Sequence, residues 1–476
     1  MTQLYDQIDA IFHPKSIAFV GISTSDPTNW TRTFWDCALA FNFKGGLYPV
    51  NPRGGELNGY KVYSSVAELP ENVDYAIGTV TASVAPEIVR KCAAKGIKAV
   101  HFCTAGFAET GEKDVAGLQE EITEISRQTG IRVIGPNCMG LYCPESDLAF
   151  DVDSPRESGH IGFISQSGGH ANFTIREAGW RGVRFSKIVS YGNACDLNES
   201  DFLEYMIDDP QTTIIALYLE GVKDGKRFFR LMEKASKKKT LILLKGGYGP
   251  AGARAAATHT ASLAGNDTTW DTLCRQLNIM RPENVEQLVD ILVALSFIPD
   301  PGGRNMVLIG PGGGASVLLT DEFEKRGFHL PALPEVLRGK LMGFIRPEGN
   351  MLQNPVDVSQ SMGDPDNMFK AYKLLTGWDE IDFCVGFFRF SQLTQAVLDN
   401  SITLGMALSN GLSSFSKPVA FILEDGILPE RNRVIYEVRQ KLINAHTAVY
   451  YRFTDAANAL KMIMDYNERR KLAGKK

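Results

Sequence analysis

No Cys-x-x-Cys pair occurs among the eight cysteines, which stand at positions 37, 92, 103, 138, 143, 195, 274 and 384. Cys-x-x-Cys is a common signature of structural zinc sites, and disulfide frameworks mark short secreted chains, so these thiols, set mostly in apolar runs, read as reduced and packed in a cytoplasmic protein without a metal centre. Basic residues are not in excess either: 50 Lys and Arg stand against 55 Asp and Glu, for a formal net charge of −5. With no cluster of cations large enough to neutralise a phosphate backbone, nucleic acid is excluded as a partner. No apolar run approaches the ~20 residues that span a bilayer. The opening MTQLYDQIDAIFHPKSIAFVG carries acidic residues early and no basic start, unlike a secretory leader, so no membrane association is expected. Two glycine codes are also missing. Neither the three-glycine dinucleotide fingerprint nor the Gly-x-x-x-x-Gly-Lys-Ser/Thr phosphate loop appears, which argues against NAD and against a P-loop nucleotide site in this sequence.

What the chain does contain is an alternation of short β-rich apolar runs with amphipathic, charged stretches, the pattern of βαβ units and parallel sheets. At 476 residues and ~100 to 200 residues per domain, about three such units are expected. Strands are expected at 16–21, 46–50, 75–80, 99–102 and 132–134, with helices over 84–95 and 111–128. A second set follows at 160–165, 185–190, 213–219 and 240–244, with helices over 265–276 and 285–295. The break Pro299-Asp300-Pro301-Gly302-Gly303 cannot continue a helix. A third set begins at 304–309, continues at 383–388 and 419–423, and ends in a helix over 454–470. The fold class is α/β, three units in series, divided as 1–145, 146–299 and 300–476.

In open α/β sheets ligands bind outside the carboxyl ends of the strands. The first strand runs into Gly21, and the second ends in Asn51-Pro52-Arg53, which sets an amide and a guanidinium at that edge; Asn51-Pro52 reads equally well as an ordinary strand-ending turn. In the second unit, Ser165-Gln166-Ser167-Gly168-Gly169 lies between a strand and a helix, where backbone N–H groups and hydroxyls converge on an anion. A second anion-friendly helix start is expected around Thr258 to Gly265. Leu217-Tyr218-Leu219-Glu220-Gly221 places a carboxylate just past a buried strand, where an unpaired charge needs a partner. An imidazole is the natural one, because a carboxylate on one ring nitrogen leaves the other free to attack; a surface or capping Glu is the plainer reading. His259 lies among alanines, small hydroxyl residues and glycines in AGARAAATHTASLAGND. Such a segment suits a mobile loop carrying a nucleophile that accepts a phosphoryl group, although a lone His near a helix start is more often incidental. Trp30, Phe34, Trp35, Phe41 and Phe43 read as core or interface more readily than as an acyl channel.

The succession Val20-Gly21-Ile22-Ser23, Tyr48-Pro49-Val50-Asn51-Pro52, Leu69-Pro70-Glu71-Asn72-Val73-Asp74, Thr104 to Glu109 and Gly135-Pro136-Asn137-Cys138-Met139-Gly140 resembles the CoA-binding domain of the NDP-forming acyl-CoA synthetases, the superfamily that contains succinyl-CoA synthetase. Ser165 to Gly169, Ser190-Tyr191-Gly192-Asn193-Ala194-Cys195-Asp196, Glu220 and the His259 segment are similar to the ligase domain of the ADP-forming acetate–CoA ligase α subunit. The similarity runs on through Asn354-Pro355-Val356-Asp357. It implies a CoA-binding Rossmann-like domain followed by two flavodoxin-like, succinyl-CoA synthetase-type domains. It also implies that CoA is held by Gly21, Ile22, Ser23, Asn51, Pro52, Arg53, Thr79, Val80, Thr81 and Asn137. His259 would be the phosphoryl carrier, Glu220 its orienting carboxylate, and Ser165, Ser167, Gly168 and Gly169 the phosphate cradle.

The sequence departs from this family at several points. Thr79-Val80-Thr81 stands where relatives carry Val-Pro-Ala, and Lys245-Gly246-Gly247-Tyr248 where they carry Lys-x-Gly-Arg. Gly310-Pro311-Gly312-Gly313-Gly314-Ala315-Ser316 replaces Thr-Asn-Ala-Gly-Gly, and His170 replaces a small or apolar residue. These changes suggest an acid other than acetate, with His170 and Tyr248 as candidate contacts, although His170 reads equally well as a histidine that stands behind the site without touching the acyl group. No nucleotide-binding loop is found, and the resemblance implies that this role belongs to an ATP-grasp β subunit or a fused β region, so ATP and Mg2+ are expected on a separate β chain in a hetero-oligomer. The expected activity is that of an acid–CoA ligase (ADP-forming), which makes acyl-CoA from a carboxylic acid, CoA and ATP through acyl-phosphate and phosphohistidine. The alternative is a non-catalytic CoA-binding regulatory protein.

Overall fold

The computed structural model describes residues 3–474, apart from 248, 250, 253–266, 311, 359–360, 362–363, 390–394 and 425–428. These residues divide into two compact units, one comprising Met1–Gly179 with Arg184–Val285 and the other Trp180–Val183 with Glu286–Lys476.

The first unit holds two five-stranded sheets. In the first, β1 (Ser16–Val20), β2 (Gly46–Val50), β5 (Tyr75–Gly78), β6 (Ala99–Phe102) and β7 (Arg132–Ile134) run parallel in the order β2-β1-β5-β6-β7. Every residue of β1, β5 and β6 is buried, as expected of strands covered on both faces, whose sequences are continuously apolar instead of alternating. β5 ends at Gly78, two residues earlier than expected. Ala18, Val20, Val89, Val100, Phe102 and Val133 lie in one core cluster of this sheet. Phe34, Trp35, Phe41 and Phe43 are buried, whereas Trp30 is exposed.

One element absent from the sequence reading is a hairpin of β3 (Gly55–Leu57) and β4 (Tyr60–Val62). Its two-residue turn is Asn58-Gly59, both with positive φ, the geometry that matches strand twist in tight hairpins. The Asn58 side chain accepts hydrogen bonds from the Trp35 indole and from Arg32, both at 3.0 Å, which fastens the hairpin to the helix Thr33–Ala40.

The second sheet comprises β8 (Gly140–Tyr142), β9 (Ile161–Ser165), β10 (Phe185–Ser190), β11 (Ile214–Leu219) and β12 (Thr240–Lys245), in the order β12-β11-β9-β10-β8. β9 to β12 are parallel, and β8 pairs antiparallel with β10. The chain therefore passes from β7 of the first sheet through the turn at Gly135–Met139 directly into the second. Its helices have identifiable starts. Asn198 and Asp201 form a reciprocal capping box on the helix Glu199–Asp208, and Asp224 accepts from Lys226 N and Arg227 N, both at 3.0 Å, on the helix Gly225–Lys238; such caps contribute about 1 kcal/mol each.

The second unit carries one six-stranded sheet. It is built from β13 (Met306–Gly310), β14 (Met351–Leu352), β15 (Val356–Asp357), β16 (Phe383–Arg389), β17 (Val419–Glu424) and β18 (Ala448–Tyr450), ordered β14-β15-β13-β16-β17-β18. Only β14 is antiparallel. Gly312, at positive φ, opens the helix Gly313–Glu324, and its N–H donates to Asp357 Oδ1 at 2.8 Å. Among the described residues no helix is long and apolar enough to cross a membrane.

Candidate active site

At the carboxyl edge of the first sheet the strand order reverses between β1 and β5, the crevice where open α/β sheets take ligands. Gly21 sits there at φ +92°, and a Cβ on it would lie 2.8 Å from Val80 Cγ1 and 3.1 Å from the Thr79 carbonyl carbon. Glycine is therefore what lets the two strand ends approach. Thr79 is buried, and both its N–H and its hydroxyl donate to Val20 O, at 2.8 and 3.2 Å. Asn51 Nδ2 donates to Ile22 O at 2.8 Å, while its Oδ1 accepts from Arg53 N at 3.0 Å. Ser23 N donates to Thr31 Oγ1 at 2.9 Å. Asn51 and Thr79 thus brace the loops. Pro52, Arg53 and Thr81 are exposed, and Ser23, Val80 and Asn137 half-buried.

At the second sheet, β9 ends in Ser165 and the helix Gly168–Trp180 begins three residues later. Ser165 is fully buried, and its hydroxyl donates to Ser167 O at 2.7 Å, so it shapes the turn from beneath. Ser167 Oγ accepts the His170 N–H at 3.3 Å. The first N–H groups of a helix have no intrahelical acceptor, and their dipoles favour an anion placed before them.

Glu220 follows β11 and is buried. Gln166 Oε1 accepts from Glu220 N at 2.7 Å and from Gly221 N at 3.2 Å. Tyr218 Oη donates to Glu220 Oε1 at 3.1 Å, and the Tyr218 ring meets the His170 ring edge-on at 4.4 Å. Lys245, the last residue of β12, is 1 % exposed. Its Nζ donates to Glu220 O at 2.9 Å and to Gly246 O. Burial drives the Lys245 ammonium down to about 8, against the opposing pull of Glu220. A Cβ on Gly246 would lie 2.8 Å from Tyr218 Oη, so glycine there leaves the hydroxyl its place.

The two edges meet around a cavity of about 250 Å³ lined by Cys103, Asn137, Cys138, Met139, Gln166, Ser167, Gly168, Gly169 and Gly192. The segment Ser190–Asp196 locks the two sheets together. Gly192 lies so close to the turn after β7 that a Cβ would fall 2.3 Å from Pro136 O and 2.4 Å from Asn137 O. Asn193 donates to Glu109 Oε2 at 2.6 Å and to Gln119 Oε1 at 2.9 Å, and Arg132 forms a bidentate pair with Asp196 at 2.9 and 3.0 Å. Burial raises Glu109, but hydrogen bonds from Asn193 and from the N–H groups of Gly106 and Phe107 outweigh it and hold the carboxyl below its usual range. The two cavity thiols are not nucleophiles at neutral pH. Burial pushes Cys103 up to about 11 and Cys138 well above its ordinary value, and only the thiolate attacks.

The cavity therefore brings together Asn137, Ser167, Gly168 and Gly169, while Glu220 is reached through Gln166. His259, Tyr248 and the Thr258 to Gly265 segment lie outside the described residues. Among the described residues no group of three or more His, Cys, Asp or Glu is placed to hold a metal ion. Gln166, Lys245, Asn193 and Glu109 lay within motifs already noted in the sequence, yet no role was assigned to them. Gln166 and Lys245 are polar residues at buried strand ends, whereas Asn193 and Glu109 lie in the segments beyond their strands, and all four acquire meaning only once the partners are known.

Two family descriptions match the chain: a CoA binding domain over residues 15–144 and a succinyl-CoA ligase like flavodoxin domain over residues 158–295. The α subunit of acetate–CoA ligase [ADP-forming] I from Pyrococcus furiosus is 37 % identical over 360 residues, covering 74 % of this chain and 76 % of that protein. The acetate–CoA ligase [ADP-forming] of Methanocaldococcus jannaschii is 35 % identical over 74 % of this chain but only 49 % of its own length. Among solved structures, the dinucleotide forming acetyl-coenzyme A synthetase 1 of Ca. Korarchaeum cryptofilum, in complex with phosphate and ADP, superposes with a TM-score of 0.82 at 30 % identity, covering 98 % of both chains.

Proposed function

From the premise that this chain belongs to the NDP-forming acyl-CoA synthetase family as an α-subunit-like member, we propose that it forms acyl-CoA from a carboxylic acid, CoA and ATP, releasing ADP and phosphate. His259 accepts the γ-phosphoryl group of ATP and passes it to the acid's carboxylate, forming an acyl-phosphate. The CoA thiol then attacks the acyl carbon; the C–S bond forms, the C–O bond to phosphate breaks, and the thiol proton leaves to solvent or phosphate. Glu220 orients the imidazole through one ring nitrogen and stabilises the positive ring that develops. The N–H groups at Gly168 and Gly169 and the Ser167 hydroxyl receive the phosphoryl oxygens, with Ser165 shaping the turn. Gly21 to Ser23, Asn51 to Arg53, Thr79 to Thr81 and Asn137 form the CoA site, within the division 1–145, 146–299 and 300–476. ATP and Mg2+ are bound by an ATP-grasp β subunit, a reading supported by the α-subunit relative and by the longer relative of which this chain spans about half.

The observation that carries the reading is the cavity of about 250 Å³, because it joins the edge of the CoA-binding sheet to a helix start suited to an anion. The test is incubation with acid, CoA and Mg-ATP, with and without an ATP-grasp β chain. Thioester should form only with β, and radiolabel from γ-labelled ATP should stay on the wild-type chain but not on His259→Ala. Wild-type turnover by His259→Ala would remove the phosphohistidine assignment, and turnover by this chain alone would remove the partner.

A further inference from the structure

Two buried lysines in the second sheet are held in different ways. Lys187 makes a direct ion pair with Asp209 at 3.1 Å and a hydrogen bond to Gln211 at 3.0 Å. Lys245 has no direct ion pair among the described residues. Its ammonium rests on two backbone carbonyls, Glu220 O and Gly246 O, and lies 5.6 Å from the centroid of the Trp270 ring. A buried charge without a counter-ion in contact is expensive, and an apolar residue of similar length would fill the same space without that penalty. The position of the charge suggests what offsets it. β11 and β12 pair in register up to Leu219 and Lys245, so the lysine reaches across the last rung to the carbonyl of Glu220.

Glu220 is gripped from three sides: Gln166 takes its N–H, Tyr218 donates to its carboxylate, and Lys245 donates to its carbonyl. Each grip comes from a different strand end, which removes both the backbone and the side-chain freedom of the carboxylate. We propose that Lys245 is a positioning residue for the phosphoryl-transfer reaction: its ammonium ties the ends of β11 and β12 together and sets a fixed positive charge beside the Glu220 carboxylate. This rests on the reading that Glu220 orients His259. The charged groups facing Lys245 among the described residues are Glu220 at the end of β11, Asp267 at the start of the helix Asp267–Gln276, and Arg281, which itself pairs with Asp267 and Asp271.

The proposal is tested on the chain reconstituted with its β partner. Lys245→Met should lower kcat roughly 100-fold, the scale of a misplaced catalytic group, with the KM for CoA almost unchanged. Lys245→Arg, whose guanidinium keeps its charge, should recover most of kcat. The wild-type kcat should decline as pH rises through about 8, where the Lys245 ammonium loses its proton, and Lys245→Arg should lack that alkaline limb. A wild-type kcat in Lys245→Met, or identical alkaline limbs in wild type and Lys245→Arg, would overturn it. Should Lys245→Met fail to fold, the Lys245→Arg profile decides alone. His259→Ala run alongside separates the two ideas: turnover there sinks the phosphohistidine reading, whereas a dead His259→Ala beside an unaffected Lys245→Met sinks only this one.

Discussion

At the carboxyl edge of the first sheet Pro52, Arg53 and Thr81 face solvent, while Asn51 bonds the carbonyl of Ile22 and Thr79 that of Val20, tying the strand ends together. The corresponding edge of the second sheet instead buries a carboxylate, an amide and an ammonium, in Glu220, Gln166 and Lys245. Both edges lie where open sheets take ligands, yet the free energy is distributed differently. A surface that only holds a large, charged molecule can rely on exposed donors, which adjust to the ligand and are screened by salt. A site that must orient one reacting group to a fraction of an ångström needs donors already desolvated and locked. This contrast is in keeping with the proposed division, in which the first edge holds CoA and the second carries the phosphoryl chemistry.

The largest break in this comparison should come from Gly192→Ala, which attacks the seam between the edges. Gly192 is at φ +56° and its Cβ would meet backbone oxygens at 2.3 and 2.4 Å, which cannot move as a flexible side chain can. A loss of about 3 kcal/mol or more in urea unfolding is expected; a change under about 0.5 kcal/mol would show that the seam yields. Next is Gln166→Leu, which strands two buried N–H groups, Glu220 N and Gly221 N. It should destabilise by about 1–3 kcal/mol and cut kcat by roughly 10- to 100-fold, while a titration with CoA stays near wild type. Equal losses in CoA affinity and kcat would dissolve the division of labour. The smallest effect belongs to the first edge: Arg53→Ala should raise the KM for CoA roughly five- to tenfold at low salt, since a charge-assisted contact contributes about 1.4 kcal/mol or less at an exposed site. That difference should shrink in high salt, and the unfolding midpoint should not move.

Much of this was legible in the sequence. The largely apolar runs of β1, β9, β11 to β13, β16 and β17 announced themselves because parallel strands are covered on both faces and need no alternation, and β6 and β10 carry His101 and Ser186-Lys187 within otherwise apolar runs. The burial of Glu220 was legible too, since it directly follows such a run. The pieces that escaped were short or depended on a neighbour. β8, β14, β15 and β18 have two or three residues each, too few to show a period. The β3–β4 hairpin did carry a readable signal, Asn58-Gly59, which went unused.

Sequence alone determined the α/β class and the residue types set at the strand ends, because burial periodicity and turn chemistry are local properties. Tertiary structure alone decided that β8 leaves the first sheet for the second, that Gly192 lies against the turn after β7, and that Gln166, Tyr218 and Lys245 converge on Glu220. Apart from Tyr218, which stands two residues from Glu220, those are contacts between segments 25 to 56 residues apart, and a hydrogen bond between such segments exists only when the sheet order brings their ends to the same edge.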